Sequence, residues 1–286
     1  MSVVLNGNKL TIEKVVNVAT NHEPVSVHAD AWARIDKCRA FLQKSIDAKR
    51  VMYGVNTGIG ELAEVALTDD QVRQFQKYLI YSHAAGVGEP MMEETVRAAM
   101  TSRINVHCHG NSGMRPVVTQ TMVDMLNKGV TPVMCKRGSV SACGDLSPMS
   151  QVALALIGEG DAFYKGERMS ATDAMNAAGI PIIEFKERDG LAVINGSNVI
   201  TGWGAVMLHE ANRWLRTQNI AAAMTFEAVN ATMKAYDRRL HEARGYPGAI
   251  KTAENLLRLP EGSGMLASGR QKVHDAYSIR STPPAV

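Results

Sequence analysis

Aromatic side chains are scarce in this 286-residue chain: Phe, Trp and Tyr together make up 5%. A β-sandwich fills its core largely with aromatic and β-branched residues, so the scarcity argues against one. Only four cysteines occur, Cys38, Cys108, Cys135 and Cys143, with no C-x-x-C pair. That spacing speaks against a disulfide framework and for reduced thiols in a cytoplasmic setting. The formal net charge of +3 is too small to imply a nucleic-acid or membrane-surface partner. No uninterrupted apolar run approaches bilayer-spanning length, and the N-terminus lacks the basic-then-apolar order of a secretory signal.

The chain is instead rich in alanine, with 16 methionines and 24 glycines. Ala and Met favour helices over strands, which points to helix-on-helix packing. Residues 3–18 alternate enough to suggest one or two short strands. Helical spacing follows over 30–49, where Trp32, Ile35, Cys38, Phe41 and Leu42 recur, and over 93–106 and 117–128. Thr68 with Gln71 three residues on reads as a capping box opening a helix toward Ser82. Residues 148–157 read as a buried helix. From 197 to about 235 there is almost no Pro and little Gly, which suggests one long helix or two stacked ones before the Gly245-Tyr246-Pro247-Gly248 break. The fold class expected is therefore mainly α, with a mixed N-terminal domain over 1–194 and the start of a long-helix bundle over 195–286.

Five glycine- or polar-rich blocks interrupt this pattern. Gly138-Ser139-Val140-Ser141-Ala142-Cys143-Gly144-Asp145-Leu146-Ser147-Pro148 places a small tripeptide between a Gly/Ser approach and an Asp-Leu-Ser-Pro exit. Alone, Ala142-Cys143-Gly144 is an ordinary tight turn with a buried thiol. Tyr53-Gly54-Val55-Asn56-Thr57-Gly58-Ile59-Gly60 is a turn or phosphate loop by composition, but the Lys-Ser/Thr ending of a phosphate loop is missing. Tyr81-Ser82-His83-Ala84-Ala85-Gly86 sets a His before a glycine turn, where a satisfied structural role is the plain reading. Ile194-Asn195-Gly196-Ser197 reads as a turn plus helix cap. The fifth block is Asp275-Ala276-Tyr277-Ser278-Ile279-Arg280. His107-Cys108-His109 matches no common zinc spacing, and no metal is expected there.

The five blocks, in this order, resemble the aromatic amino acid ammonia-lyases and aminomutases. That family cyclises an Ala-Ser-Gly tripeptide of its own backbone into a methylidene-imidazolone (MIO) electrophile. Here Cys143 replaces the Ser, so closure would release hydrogen sulfide where the family releases water from that side chain, giving the same alkene. Gly144 suits a tight turn and leaves its nitrogen unhindered. The resemblance implies a self-made MIO from Ala142-Cys143-Gly144 with no metal or external cofactor. It implies Tyr53 as the catalytic base on a mobile loop, a role that needs a lowered pKa because free Tyr titrates near ~10. Ser82 and His83 would line the substrate's side-chain pocket, a pair similar to that of histidine ammonia-lyases. Asn195 would contact substrate or electrophile, Tyr277 would donate beside the reacting carbons, and Arg280 would clamp the carboxylate. His274 stands where the family carries Gln.

The implied activity is non-oxidative deamination of an aromatic amino acid, histidine favoured, to an α,β-unsaturated acid and ammonia. Action on phenylalanine or tyrosine as ammonia-lyase or 2,3-aminomutase is the alternative, and a non-catalytic scaffold without the ring is a third. Family members continue well beyond 286 residues and combine several subunits at each site. An N-terminal portion is therefore expected, completed in a homotetramer or by a complementing C-terminal chain.

Overall fold

The computed structural model describes every residue except Met1, Ala66, Ser141 and Val286. Strand β1 (Val3–Leu5) pairs in parallel with β2 (Val25–Val27), and α1 (Ile12–Ala19) makes the crossover. Residues 3–18 are thus one strand followed by a helix, not a run of strands. Thr11 accepts from the Lys14 amide and starts α1, whose Val15, Val16, Val18 and Ala19 are buried. Next come α2 (Ala29–Asp47) and α3 (Asp69–His83), the latter opened by the expected Thr68–Gln71 capping box.

Strand β3 (Val87–Pro90) leads into α4 (Glu93–His107), and α5 (Pro116–Lys128) follows with Pro116 in its first turn and left-handed Gly129 at its end. Strands β4 (Val130–Pro132) and β5 (Cys135–Arg137) precede α6 (Leu146–Leu156), then β6 (Asp161–Tyr164), β7 (Glu167–Ser170), α7 (Ala171–Ala177) and α8 (Asp189–Ile194). The antiparallel order β4-β6-β7 forms one small sheet, and β3 pairs antiparallel with β5.

Helix α4 runs through the centre of this unit, with Ala98, Ala99, Met100, Thr101 and Ile104 fully enclosed. Two arginines lie on it. Arg97 donates to the carbonyls of Val18, Ala19 and Leu126, capping the C-terminal ends of α1 and α5. Carbonyls at helix ends lack intrahelical partners and carry partial negative charge, so a buried guanidinium is satisfied there without a carboxylate.

Helix α9 (Asn198–Ala228) is the long helix expected from the sequence. The compact units divide inside it, as Met1–Leu208 and His209–Val286. The first turns of α9 are held by the first unit: a Cβ on Gly202 would stand 2.6 Å from the Ala98 backbone, so α9 and α4 touch main chain to main chain. By length and composition, the helical stretch Asp189–Ala228 is apolar enough to cross a membrane, with mean hydropathy 1.3 over its most apolar window, 44% of it buried. Counting uninterrupted apolar runs overlooked it because polar residues such as Thr201 and Glu210 punctuate it. A core helix of a bundle gives the same signature.

The second unit has its own small core of Ala223, Phe226, Ala231, Tyr236 and Leu256, with Phe226 stacked on Tyr236 at 4.8 Å. It contains α10 (Arg238–Arg244), ended by left-handed Gly245, then α11 (Pro247–Arg258), α12 (Tyr277–Arg280) and α13 (Thr282–Ala285).

Candidate active site

The pairing of β3 with β5 brings two of the sequence blocks together. The chain leaves His83 at the end of α3, passes Gly86 and enters β3; its partner β5 leads directly into the Gly138 loop. A Cβ on Gly138 would sit 3.3 Å from the Gly86 α-carbon and 3.0 Å from Ser147 Oγ, so the two segments approach tightly here.

The loop closes on itself where the Val140 amide donates to the Gly144 carbonyl at 2.8 Å. Gly144 adopts φ +88°, a left-handed angle that glycine takes without strain. Cys143 Sγ donates to Asn195 Oδ1 at 3.1 Å, and Ser197 Oγ donates to the Cys143 carbonyl at 2.9 Å. Asp145, fully buried, accepts from Ser139 Oγ and from the amides of Val199 and Ile200. Its carboxylate thus occupies the N-terminus of α9, where amides and helix dipole both favour negative charge. One aspartate ties the loop to the helix that carries Asn195 and Ser197 at its approach.

Arg103 anchors the other side. Its Nη1 donates to the Asn195 carbonyl at 2.7 Å and to Asn198 Oδ1 at 3.0 Å, Nη2 donates to the Ala192 carbonyl, and Nε to His107 Nε2 at 3.1 Å. His107 Nε2 also lies 3.0 Å from the Ala192 carbonyl, and its Nδ1 lies 3.0 Å from Thr119 Oγ1, so both ring nitrogens are partnered. Burial and the neighbouring Arg103 charge push the His107 pKa down to about 3, so the ring is neutral. Burial also lowers Arg103, to about 10; attraction to Cys143 opposes this and repulsion from Arg188 adds to it. The acceptors of Arg103 are all uncharged. Gly196 is explained here: a Cβ would stand 2.6 Å from Arg103 Nη1.

Tyr53, Ser82 and His83 share a second feature, a largely apolar cavity of about 570 Å³ that also takes in Ile59, Gly60, Phe75, Tyr78, Leu79 and Leu146. Leu146 follows Cys143 by three residues, so this cavity adjoins the tripeptide loop. Tyr53 is half exposed, and its hydroxyl oxygen accepts from the Gly60 amide at 3.1 Å. Asn56 and Thr57 fold the loop: Asn56 bridges the Met52 amide and the Arg50 carbonyl, while Thr57 Oγ1 accepts from Gly54 and donates to Gly58. Fully buried Gln76 ties Gly54 to Leu191. Arg188 approaches where a Cβ on Gly54 would be, at 3.6 Å.

His83 Nδ1 lies 2.9 Å from the Leu79 carbonyl, an acceptor only, so this nitrogen carries the proton. In the neutral ring Nε2 is then an acceptor. Ser82 Oγ donates to the same Leu79 carbonyl at 2.9 Å.

Tyr277, Arg280 and His274 belong to the second unit and are not among the residues assembled in the first. There Arg280 stacks over the Tyr277 ring at 4.7 Å, and His274 Nδ1 faces the Asp275 carbonyl. Asp275 is buried and accepts from the Thr232 amide at 2.7 Å. The His107-Cys108-His109 run serves structure: Cys108 is enclosed, burial pushing its thiol up to about 11. No cluster of three metal-ligating side chains occurs among the described residues. Sequence reasoning passed over Arg103, the capping role of Asp145, and Ser197 as more than a helix cap. The available signals were a cation in the apolar run of α4 and an acid within a small-residue loop.

A profile of the aromatic amino acid lyase family matches residues 10–286. Histidine ammonia-lyase of Alkaliphilus metalliredigens is 39% identical over 282 residues, covering 98% of this chain and 56% of that protein; the enzyme of Geobacillus thermodenitrificans is 42% identical with the same coverage. Among solved structures, tyrosine aminomutase from Streptomyces globisporus superposes with TM-score 0.91 at 30% identity, over 99% of this chain and 57% of that one. Histidine ammonia-lyase from Trypanosoma cruzi gives 0.86 at 31%, over 99% and 53%. The chain spans a little over half the length of these relatives. By the match across residues 10–286, the chain belongs to the aromatic amino acid lyase family.

Proposed function

We propose that this chain is the N-terminal portion of an ammonia-lyase acting on histidine. The observation that carries the reading is the contact set around the tripeptide: Asn195 on the Cys143 thiol, Ser197 on its carbonyl, and Gly144 in a left-handed turn. These residues suit ring closure. The Gly144 nitrogen would bond to the Ala142 carbonyl carbon, whose oxygen leaves as water. Cys143 would lose its α-proton and its SH as hydrogen sulfide, leaving a methylidene carbon. The resulting MIO supplies an electrophile for the substrate's amine, the hard chemistry a cofactor otherwise carries.

The chain's own residues supply the rest. Tyr53 would take the β-proton, its hydroxyl held toward the cavity by the Gly60 amide. His83 Nε2, left as an acceptor, would receive an imidazole N–H, and Ser82 would line the pocket beside it. Asn195 would contact the reacting group. Arg280 would hold the carboxylate, Tyr277 would donate a proton-side hydrogen bond, and His274 would adjoin them, these three reaching the site in an assembled homotetramer or with a complementing C-terminal chain. Exposed Trp214, Ile220 and Met224 on α9 support such assembly. The four thiols are free, in keeping with a cytoplasmic setting.

Turnover assays with histidine, phenylalanine and tyrosine test the reading. Urocanate from histidine is the expected product, with His83→Leu lowering kcat/KM about tenfold to a hundredfold through the lost hydrogen bond. Cinnamate, coumarate or a β-amino acid as the main product would assign the chain to the phenylalanine and tyrosine lyases or to the aminomutases.

A further inference from the structure

We propose that Ser197 is a further catalytic residue, its hydroxyl stabilising negative charge on the carbonyl oxygen of residue 143. The assignment rests on the ring-forming reading above. The tripeptide has two carbonyl oxygens that closure treats differently. The Ala142 oxygen leaves as water. The Cys143 oxygen stays and becomes conjugated with the methylidene carbon, so electron density accepted at that carbon is shared with this oxygen. A donor placed there beforehand acts where charge develops and needs no reorganisation.

Ser197 Oγ lies 2.9 Å from that oxygen, and since a carbonyl only accepts, the hydroxyl donates. The obvious competitors are engaged elsewhere: the Val199 and Ile200 amides at the start of α9 both donate to Asp145. Ser197 is also held on both sides. Arg103 grips the Asn195 carbonyl before it and the Asn198 side chain after it, and Gly196 allows the guanidinium to lie against the main chain. The Ser197 carbonyl accepts from Thr201 Oγ1 at 2.7 Å, which fixes the residue as the first step of the helix. The buried Arg103 cation behind this segment, with only uncharged acceptors, adds a positive potential of the right sign.

The test compares wild type, Ser197→Ala and Ser197→Thr, with intact mass, near-ultraviolet absorbance and cyanide addition as readouts. Wild type should have lost one hydrogen sulfide and one water before cyanide is added. Ser197→Ala should close its ring yet add cyanide about a hundredfold more slowly, with the ring absorbance moved to shorter wavelength. Ser197→Thr, which keeps the hydroxyl, should add cyanide within about threefold of wild type. A closed Ser197→Ala ring with wild-type addition rate and absorbance overturns the Ser197 assignment alone. If Ser197→Ala fails to close, Ser197→Thr decides: impairment equal to that of the Ala variant overturns the role of the hydroxyl. An intact tripeptide in wild type overturns the ring reading, and the Ser197 role with it.

Discussion

Burial divides the ionisable side chains around the tripeptide into those that bear charge and those that cannot. His107 is enclosed and neutral, its pKa pushed to about 3. An unfolded His titrates near ~6.5, so between about pH 6.5 and 3 the unfolded chain binds a proton that the folded one refuses. Stability therefore falls as pH drops through that window, by up to ~1.4 kcal/mol per unit. Unfolding free energies from urea titrations at pH 7 and pH 5 should differ by ~2 kcal/mol more in wild type than in His107→Gln; equal differences would show that His107 does not carry the effect. Tyr53 belongs to the same scale. On the proposed reading, in which Tyr53 takes the β-proton, Tyr53→Phe should lower turnover by roughly 10²–10⁴ with the mass of residues 142–144 unchanged. Wild-type turnover in that variant would mean that another group takes the proton.

Among the elements, the junction between the tripeptide loop and α9 is the most exacting. Asp145→Ala would strand two α9 amides and the Ser139 hydroxyl, costing about 2–3 kcal/mol, to be read from urea unfolding. A loss below ~0.5 kcal/mol, the ordinary surface value, would contradict the capping role. Gly196→Ala should drive the Arg103 guanidinium from its seat and slow ring closure; a variant closing at the wild-type rate would contradict that packing. Much of this level was legible in the sequence. The Thr68 box, the glycine at the end of α5 and the Pro/Gly break before α11 are local signals, and the helices begin or end close to them. Residues 3–18 misled because only three residues of β1 pair, and its partner lies beyond the next helix. Arg103 and Asp145 were hidden for a related reason. Their partners at the start of α9 lie 54 to 95 residues away in sequence, and no periodicity reports a contact of that kind.

For the whole molecule, the division within α9 means that one helix joins two cores. Composition marked a change near Asn195, where short elements give way to long helices. The compact units part later, because Asp145, Arg103 and the Gly202 contact bind the first turns of α9 to the first unit. Those same contacts place Asn195 and Ser197 beside Cys143. The tripeptide, Asn195, Ser197, Tyr53 and His83 therefore all lie within residues 1–208, while Tyr277 and Arg280 lie in the second unit. Intact-mass analysis of the freshly folded protein, with fragmentation across residues 142–144, tests the ring-forming reading most directly. A mass short of the encoded one by one hydrogen sulfide and one water, localised to that tripeptide, is the expected result. The full encoded mass with an alkylatable thiol at Cys143 would contradict it and leave the fold without its electrophile.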